Sequence, residues 1–526
     1  MADLVSVPNP ATECALRLEH VNYWYPQVQD SFAGSSSAPE SRESDPILSD
    51  ISLDIRVGEC LLLTGASGSG KSTLLRALNG LVPQFYEGNL EGRITVFGRD
   101  IEEIPLGQMA HDSAMVFQNP RTQFFTPAVL DELALTLENW GVEPQEIATR
   151  IARASTTTGI EPFVGRQITQ LSGGQLQRVA CACAAVTGAP ILLLDEPTSN
   201  LSTGAIADFA ALLARLKAAG VTIIIAEHRL HFMRSLADRV VRLEHGRITG
   251  VYSAQEFFSL SEDTRRALGL RAFEDPQVQL PAPGRFDAHG VPVPGVLIEN
   301  LHFSYSPAKR SWWSRLKGAT GSPRALNNSV QSAIFTGDSF FFPAGAVTVL
   351  TGENGTGKST LAQIIAGLLH PHAGTISEIN GGGETRVLSA AERVRATGMV
   401  MQDARRSLFS ESVAAEITLG LTPEQKQGVN VRQILEDMDL LGVSDHHPAA
   451  ISGGQAQRLA IACTLASDKK IVIFDEPTSG VDAAHMSSIA ALMRSVAERG
   501  AVVICITHDN ELKALCDMDV SLGGGA

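Results

Sequence analysis

A glycine-rich stretch ending in Lys-Ser-Thr occurs twice in this chain, as Gly-Ala-Ser-Gly-Ser-Gly-Lys-Ser-Thr (65–73) and Gly-Glu-Asn-Gly-Thr-Gly-Lys-Ser-Thr (352–360). A loop of this kind works only between a strand and a helix, where its amides converge on phosphate, so it dictates the local fold wherever it stands. Each copy is followed, in the same order, by Ser-Gly-Gly-Gln (172–175 and 452–455), by Asp-Glu-Pro-Thr-Ser (195–199 and 475–479), and by a histidine behind an apolar run (His228 and His508). Tyr25 and Tyr305, Ser172 and Ser452, Glu196 and Glu476, and His228 and His508 all share an offset of 280 residues, whereas Lys71 and Lys358 are 287 apart. Repetition at this scale means two copies of one domain.

The apolar pattern sets the fold class. Leu16–Leu18 and Ile51–Ile55 alternate and read as edge strands. Cys60–Thr64, Ile191–Leu194 and Val221–Ala226 are continuous apolar runs, as strands buried on both faces of a parallel sheet must be. Ser72–Leu81 has helical spacing. The second half repeats this with Val347–Leu350, Leu361–Leu369, Ile471–Phe474 and Val502–Ile506. Strands alternating with helices predict an α/β protein with helices on both faces of a mainly parallel sheet. We expect a first domain over 1–272, a Pro- and Gly-rich linker over 273–295 and a second domain over 296–526. Ser31–Asp45 is a Ser-rich insertion in the first half, Pro307–Ser332 a longer one at the matching place in the second, and Gly381–Gly383 a turn.

At 526 residues, each half can bury a core of its own. A net charge of −15 disfavours a nucleic-acid surface, so no nucleic-acid partner is expected. The seven cysteines form no metal-ligand spacing and suggest unpaired thiols in a reducing compartment. Neither a signal peptide nor an apolar run of spanning length is evident, so any membrane role is expected to come through a partner.

The motifs carry phosphoryl chemistry. Backbone amides of the two loops, aided by the helix dipole, suit phosphate, and Lys71 and Lys358 suit the β- and γ-phosphates. The Ser72 and Ser359 hydroxyls, with Asp195 and Asp475 at strand ends, suit Mg2+. Glu196 and Glu476 are placed to polarise an attacking water. His228 and His508 can reach a γ-phosphate. Ser172, Gly173, Gly174 and Gln175, like Ser452, Gly453, Gly454 and Gln455, offer a hydroxyl and bare amides at a helix start. A single phosphate-binding domain does not need this second anion loop.

This order of motifs resembles the ATPase domains of ABC transporters, and the resemblance covers both halves. It implies two such domains, each with a core sheet, an antiparallel edge subdomain and a helical subdomain, pairing head to tail within one chain around two ATP molecules with Mg2+. One site would use Tyr25, Gly65, Ala66, Ser67, Gly68, Ser69, Gly70, Lys71, Ser72, Thr73, Gln118, Asp195, Glu196 and His228, with Ser452–Gln455. The other would use Tyr305, Gly352, Glu353, Asn354, Gly355, Thr356, Gly357, Lys358, Ser359, Thr360, Gln402, Asp475, Glu476 and His508, with Ser172–Gln175. Gln118 and Gln402 would reach the metal and sense the γ-phosphate. Tyr25 and Tyr305 match the adenine-stacking aromatic; strand-end core packing is the alternative reading for both.

Val116–Phe125 (Val-Phe-Gln-Asn-Pro-Arg-Thr-Gln-Phe-Phe) and Met401–Phe409 further resemble the glutamine loops of energy-coupling-factor ATPases, which drive vitamin and transition-metal-ion importers. That resemblance implies a multispanning membrane scaffold subunit, a substrate-binding membrane subunit, and a place on the cytoplasmic face of the membrane. Phe124, Phe125, Val129 and Leu130, with Leu408, Phe409 and Val413, are expected to line the groove for the scaffold's helices; core packing is the alternative. A soluble tandem ABC protein of translation or repair is the alternative function. Its members carry a charged helical linker or zinc cysteines, neither of which is present. The halves differ at one place, where Ser202 stands for the aspartate found at Asp482, so unequal sites are expected. The insertion 307–332 carries Lys309, Arg310, Arg315, Lys317 and Arg324 around Trp312 and Trp313. It suits anionic headgroups or a plain solvated loop.

Overall fold

The computed structural model describes residues 14–26, 45–199, 201–305, 333–353, 355–401, 404–478 and 480–523. The insertion 307–332 and all of the first insertion except Asp45, together with Asn354 and Gln402, lie outside the described residues. By internal contacts the chain divides into two units, Met1–Pro276 with Ser479–Met486, and Gln277–Thr478 with Ser487–Ala526.

In the first unit, a six-stranded sheet runs in the order Arg247–Ser253, Arg239–Glu244, Cys60–Thr64, Thr222–Ala226, Ile191–Asp195, Ser113–Val116. All neighbours are parallel except the hairpin of the first two. Its central strands are apolar throughout because both faces are covered. Leu61, Leu63, Ile191, Leu193 and Ile224 pack with Leu74, Leu75 and Leu78 of the helix Lys71–Leu78. Their neighbours Cys60, Leu62, Leu192, Leu194 and Ile225 pack on the other side with Phe209, Leu212 and Leu216 of the helix Thr203–Ala218. Period-2 burial on two faces thus turns an alternating side-chain direction into an unbroken apolar run.

An antiparallel sheet, ordered Leu48–Arg56, Cys14–Trp24, Asn89–Val96, Arg99–Asp100, joins the first of these cores. A helical body of Val129–Asn139, Pro144–Thr158 and Gly173–Thr187 has a core of its own around Leu133, Ile151, Leu176 and Val179. The first unit ends in short helices, Ala254–Phe258 and Glu262–Ala267. Phe273 packs against Phe257 and Phe258 there, so first-unit packing continues into the Pro-rich segment.

The second unit repeats the plan with a five-stranded parallel sheet, Thr397–Val400, Ile471–Asp475, Val502–Ile506, Val347–Gly352, Met518–Leu522. Its antiparallel sheet is Phe335–Pro343, Gly295–Phe303, Ala373–Ile379, Thr385–Val387. Its helical body is built from shorter helices, Val413–Ile417, Pro423–Gly428 and Val431–Asp437, ahead of Gly453–Ala466. The turn at Gly381–Gly383 is closed by the Asn380 side chain, whose Oδ1 accepts from the Gly382 and Glu384 amides.

Candidate functional site

Each glycine loop lies between a parallel strand and a helix: Cys60–Thr64 and Lys71–Leu78 in one unit, Val347–Gly352 and Lys358–Ile365 in the other. Glycine is required at the loop entrance. Gly65 has φ 147°, and a Cβ there would lie 2.1 Å from the Leu243 carbonyl oxygen; Gly352 has φ 146°. The loop lysines are buried and turned back over the loop. Lys71 Nζ donates to the carbonyls of Gly65 and Ala66 at 3.0 and 2.9 Å, and Lys358 Nζ to those of Gly352 and Glu353 at 2.8 and 3.0 Å. Burial pulls both ammonium groups below their ordinary pKa, against the pull of the nearby carboxylates. In the first loop, the buried Ser67 Oγ and Ser69 Oγ have no hydrogen-bond partner among the described residues. A cradle with an inward cation and unsatisfied hydroxyls is suited to an oxyanion.

The Ser72 hydroxyl donates to Asp195 Oδ1 at 2.8 Å, and Ser359 makes the same bond to Asp475. Asp195 ends the strand Ile191–Asp195 and is buried. Burial, reinforced by Glu196, pushes its pKa up to about 6, and burial raises Asp475 as well. A serine hydroxyl paired with a carboxylate is a set of hard oxygen donors of the kind that suits Mg2+.

Next along the chain, Glu196 and Glu476 have φ of 45° and 52°, a left-handed conformation that few non-glycine residues adopt. The neighbouring strand enforces it: the Glu196 amide donates to the Ala226 carbonyl at 2.9 Å and the Glu476 amide to that of Ile506 at 2.9 Å. Strain repeated at two equivalent carboxylates is a mark of a functional turn. Burial pushes Glu196 up to about 7, with Lys71 opposing and Asp482 adding to the rise. Gln118 Nε2 donates to Glu196 Oε2 at 2.8 Å.

His228 is buried with Nε2 3.3 Å from Glu196 Oε1, and His508 Nε2 lies 3.9 Å from Glu476 Oε1. His228 Nε2 nevertheless makes no hydrogen bond among the described residues. Its pKa is held well below the ordinary value, first by burial and then by Lys71. Burial thus favours the neutral imidazole.

Tyr25 and Tyr305 also take equivalent places. Their hydroxyls lie 3.4 Å from Thr73 Oγ1 and 3.2 Å from Thr360 Oγ1, and each ring meets an inner aromatic, Tyr23 or Phe303, edge-on. The Ser-Gly-Gly-Gln loops differ from expectation in one respect, because their serine and glutamine are engaged with each other. Ser172 Oγ accepts from the Gln175 amide and Gln175 Oε1 from the Ser172 amide, and Ser452 and Gln455 do the same. This reciprocal cap is what starts the helices Gly173–Thr187 and Gly453–Ala466.

Two features escaped the sequence reading. Beside His228, the buried Glu227 accepts from the Thr198 amide and hydroxyl at 2.9 and 2.5 Å and from the His228 amide at 2.9 Å. In the second unit Asp509, just after His508, accepts from the Thr478 hydroxyl at 3.1 Å. The two halves thus bind the Pro-Thr turn with carboxylates on opposite sides of the histidine, and for Glu227 an acid ending an apolar run was the available signal. Second, Asp482, which groups with the first unit, accepts from the Ser67 amide at 2.8 Å and from the His485 amide at 2.9 Å. Burial opposes its charge, but these bonds and His485 hold its pKa well below the usual carboxylate range. Its bond from the His485 amide caps the helix Ala483–Glu498, as Ser202 caps the helix Thr203–Ala218.

The expected phenylalanine groove is partly corrected. Val129 and Val413 are buried, and Phe124 is half-buried between the sheet core and the helical core of the first unit. Phe125 and Phe409 are the exposed residues, at 85 % and 76 %, with Leu130 also exposed. Phe124 and Phe125 are neighbours of identical chemistry, and the sequence does not say which of the two meets the core.

Sheet, glycine loop, acidic turn and histidine together define a P-loop nucleotide-hydrolysing domain, present twice. The chain belongs to the ABC transporter family, whose model matches residues 48–199 and 335–479, more than half of its length. It is an ATPase with two such domains. A Treponema denticola protein named "Putative ABC transporter ATP-binding protein" is 35 % identical over 91 % of this chain and 92 % of its own. The Bacillus subtilis "Putative HMP/thiamine import ATP-binding protein YkoD" is 30 % identical over 89 % of this chain and 85 % of its own. Among solved structures, "RNase-L Inhibitor" covers 90 % of this chain and 85 % of its own with a TM-score of 0.53 and 19 % identity, a likeness of fold. Among the described residues, no helix is long and apolar enough to cross a membrane.

Proposed function

We propose that this ATPase is the motor subunit of a membrane importer of the energy-coupling-factor kind, seated on the cytoplasmic face through a multispanning scaffold subunit and serving a separate substrate-binding membrane subunit. The observation that carries this reading is the pair of exposed phenylalanines, Phe125 and Phe409, seven residues past Gln118 and Gln402. Large apolar side chains in equivalent exposed positions call for a partner surface. The import name of the Bacillus subtilis relative supports the same direction of transport.

In this reading the loops 65–73 and 352–360 hold the ATP phosphates, with Lys71 and Lys358 on the β- and γ-phosphates and Tyr25 and Tyr305 against adenine. Ser72, Gln118 and Asp195, and Ser359, Gln402 and Asp475, would hold Mg2+, which neutralises charge on the phosphates when bound. Glu196 and Glu476 accept a proton from the water that attacks the γ-phosphorus. His228 and His508 orient the γ-phosphate. Gln118, hydrogen-bonded to Glu196, links this chemistry to the loop that reaches Phe125. The test is affinity purification of the intact chain from solubilised membranes of its host. A stoichiometric multispanning protein, lost on Phe125→Glu with Phe409→Glu, supports the proposal. A folded chain that sediments alone and stays wholly out of the membrane fraction overturns it.

A further inference from the structure

Behind each exposed phenylalanine lies a buried carboxylate that the hydrolytic site does not use. Glu132, in the helix Val129–Asn139, turns its carboxylate back out of the helix. Its Oε2 accepts from the amides of Phe125 at 3.0 Å and Thr126 at 2.8 Å and from the Thr126 hydroxyl at 2.8 Å. Glu416, in the helix Val413–Ile417, does the same: its Oε2 accepts from the amides of Phe409 at 2.8 Å and Ser410 at 2.5 Å. A carboxylate receiving two or three donors on one oxygen is a strong, geometrically exacting anchor.

What the anchor is attached to gives it meaning. The helix Val129–Asn139 shares its core with the helix that begins at the Ser172–Gln175 loop, through Val129, Leu133, Leu176 and Val179. Glu132 also raises the pKa of the Cys183 thiol on that helix, after burial, and Glu416 does so for Cys463 at the equivalent place. Each carboxylate therefore sits between an exposed phenylalanine and the helix of a Ser-Gly-Gly-Gln loop. In the second unit Arg405 adds a strap, donating to the Ile451 carbonyl at 2.9 Å just before Ser452. Phe124, packed against both cores of the first unit, marks where the chain passes from the sheet body to the helical body.

We propose that Glu132 and Glu416 are positioning residues for coupling: each fastens its exposed phenylalanine to the helical body of its own half, so that a load on Phe125 or Phe409 reaches Ser172–Gln175 or Ser452–Gln455 as a rigid displacement. The fastening stands on the hydrogen bonds alone, whereas its use by a membrane partner rests on the reading proposed above.

Two measurements on the full chain test it. In native-state hydrogen exchange, the amides of Phe125, Thr126, Phe409 and Ser410 are expected to open together with the helices Gly173–Thr187 and Gly453–Ala466. Glu132→Ala and Glu416→Ala are expected to speed exchange at those four amides at least about tenfold while leaving the two helices unchanged. Four amides that already exchange like free loop in the wild-type chain overturn the proposal, and this arm holds even if an alanine variant fails to fold. In the complex with its membrane subunit, the alanine variants are expected to retain the partner and the KM for ATP but to lose partner stimulation of kcat. Glu132→Gln with Glu416→Gln, which keeps an acceptor oxygen, is expected to restore it. Stimulation that survives alanine overturns the coupling role. A wild-type chain without any membrane partner would refute the docking reading and leave the exchange arm to decide the fastening.

Discussion

At the residue scale, the site packs buried carboxylates and a buried lysine together, and burial shifts the ionisation of each. Burial pushes Asp195 to about 6 and Glu196 to about 7, above their ordinary values near 4. Groups raised in this way contribute stability below about pH 4 and lose it as pH climbs through about 7. Glutamine at 196 mimics the protonated acid. We therefore expect the stability gain of Glu196→Gln over the wild type, without nucleotide, to widen from pH 5 to pH 8 by on the order of 2 kcal/mol. Melting curves of both proteins at the two pH values check this, and a constant gap contradicts it. The two halves also differ at single residues. Asp482 and its counterpart Ser202 both cap the helix that follows, but Asp482 is a buried anion that also accepts from the Ser67 amide, whereas Ser202 is neutral. Glu196→Gln and Glu476→Gln, made singly, should lower hydrolysis by amounts differing at least about threefold. Equal losses, with no effect of Ser202→Asp, argue against inequivalent sites.

At the element scale, the strands carrying the chemistry were legible because their apolar runs are unbroken: Ile191–Asp195 and Ile471–Asp475 end in the predicted acids. The positions of the loop lysines, histidines and tyrosines followed from the motifs. What could not be read was anything set by a tertiary choice of side. Phe124 and Phe125 are adjacent and chemically identical, yet one joins two cores and the other is exposed. The left-handed turn at Glu196 and Glu476 was equally hidden, since it is imposed by backbone bonds to a neighbouring strand. The exchanged roles of Glu227 and Asp509 show one task met by carboxylates two positions apart relative to the histidine, which a register-based comparison overlooks. The sidedness is testable. Phe124→Ala should cost about 2 kcal/mol of stability through lost packing. Phe125→Glu and Phe409→Glu should leave the unfolding midpoint within a degree or two and release the membrane partner. The opposite pattern would return Phe125 to the core and remove the docking surface.

At the scale of the whole molecule, duplication is the organising fact. Both units carry a strand–loop–helix cradle, an acidic turn in left-handed backbone, a histidine facing its glutamate and a capped Ser-Gly-Gly-Gln helix. Their helical bodies differ more, with the 15-residue helix Pro144–Thr158 in the first unit and helices of 6 and 7 residues, Pro423–Gly428 and Val431–Asp437, in the second. Chemistry is thus repeated closely, while the parts that would meet different partner surfaces are not. In the proposed reading, two acid-activated ATP sites in one chain do the hydrolysis. Steady-state ATP hydrolysis by the purified full chain, with Mg2+ and with chelator, tests it most directly, comparing the wild type with Glu196→Gln/Glu476→Gln. Mg2+-dependent turnover is expected, falling at least about a hundredfold in the double variant, which still binds ATP. Turnover that survives in the double variant, or that ignores Mg2+ removal, would contradict it.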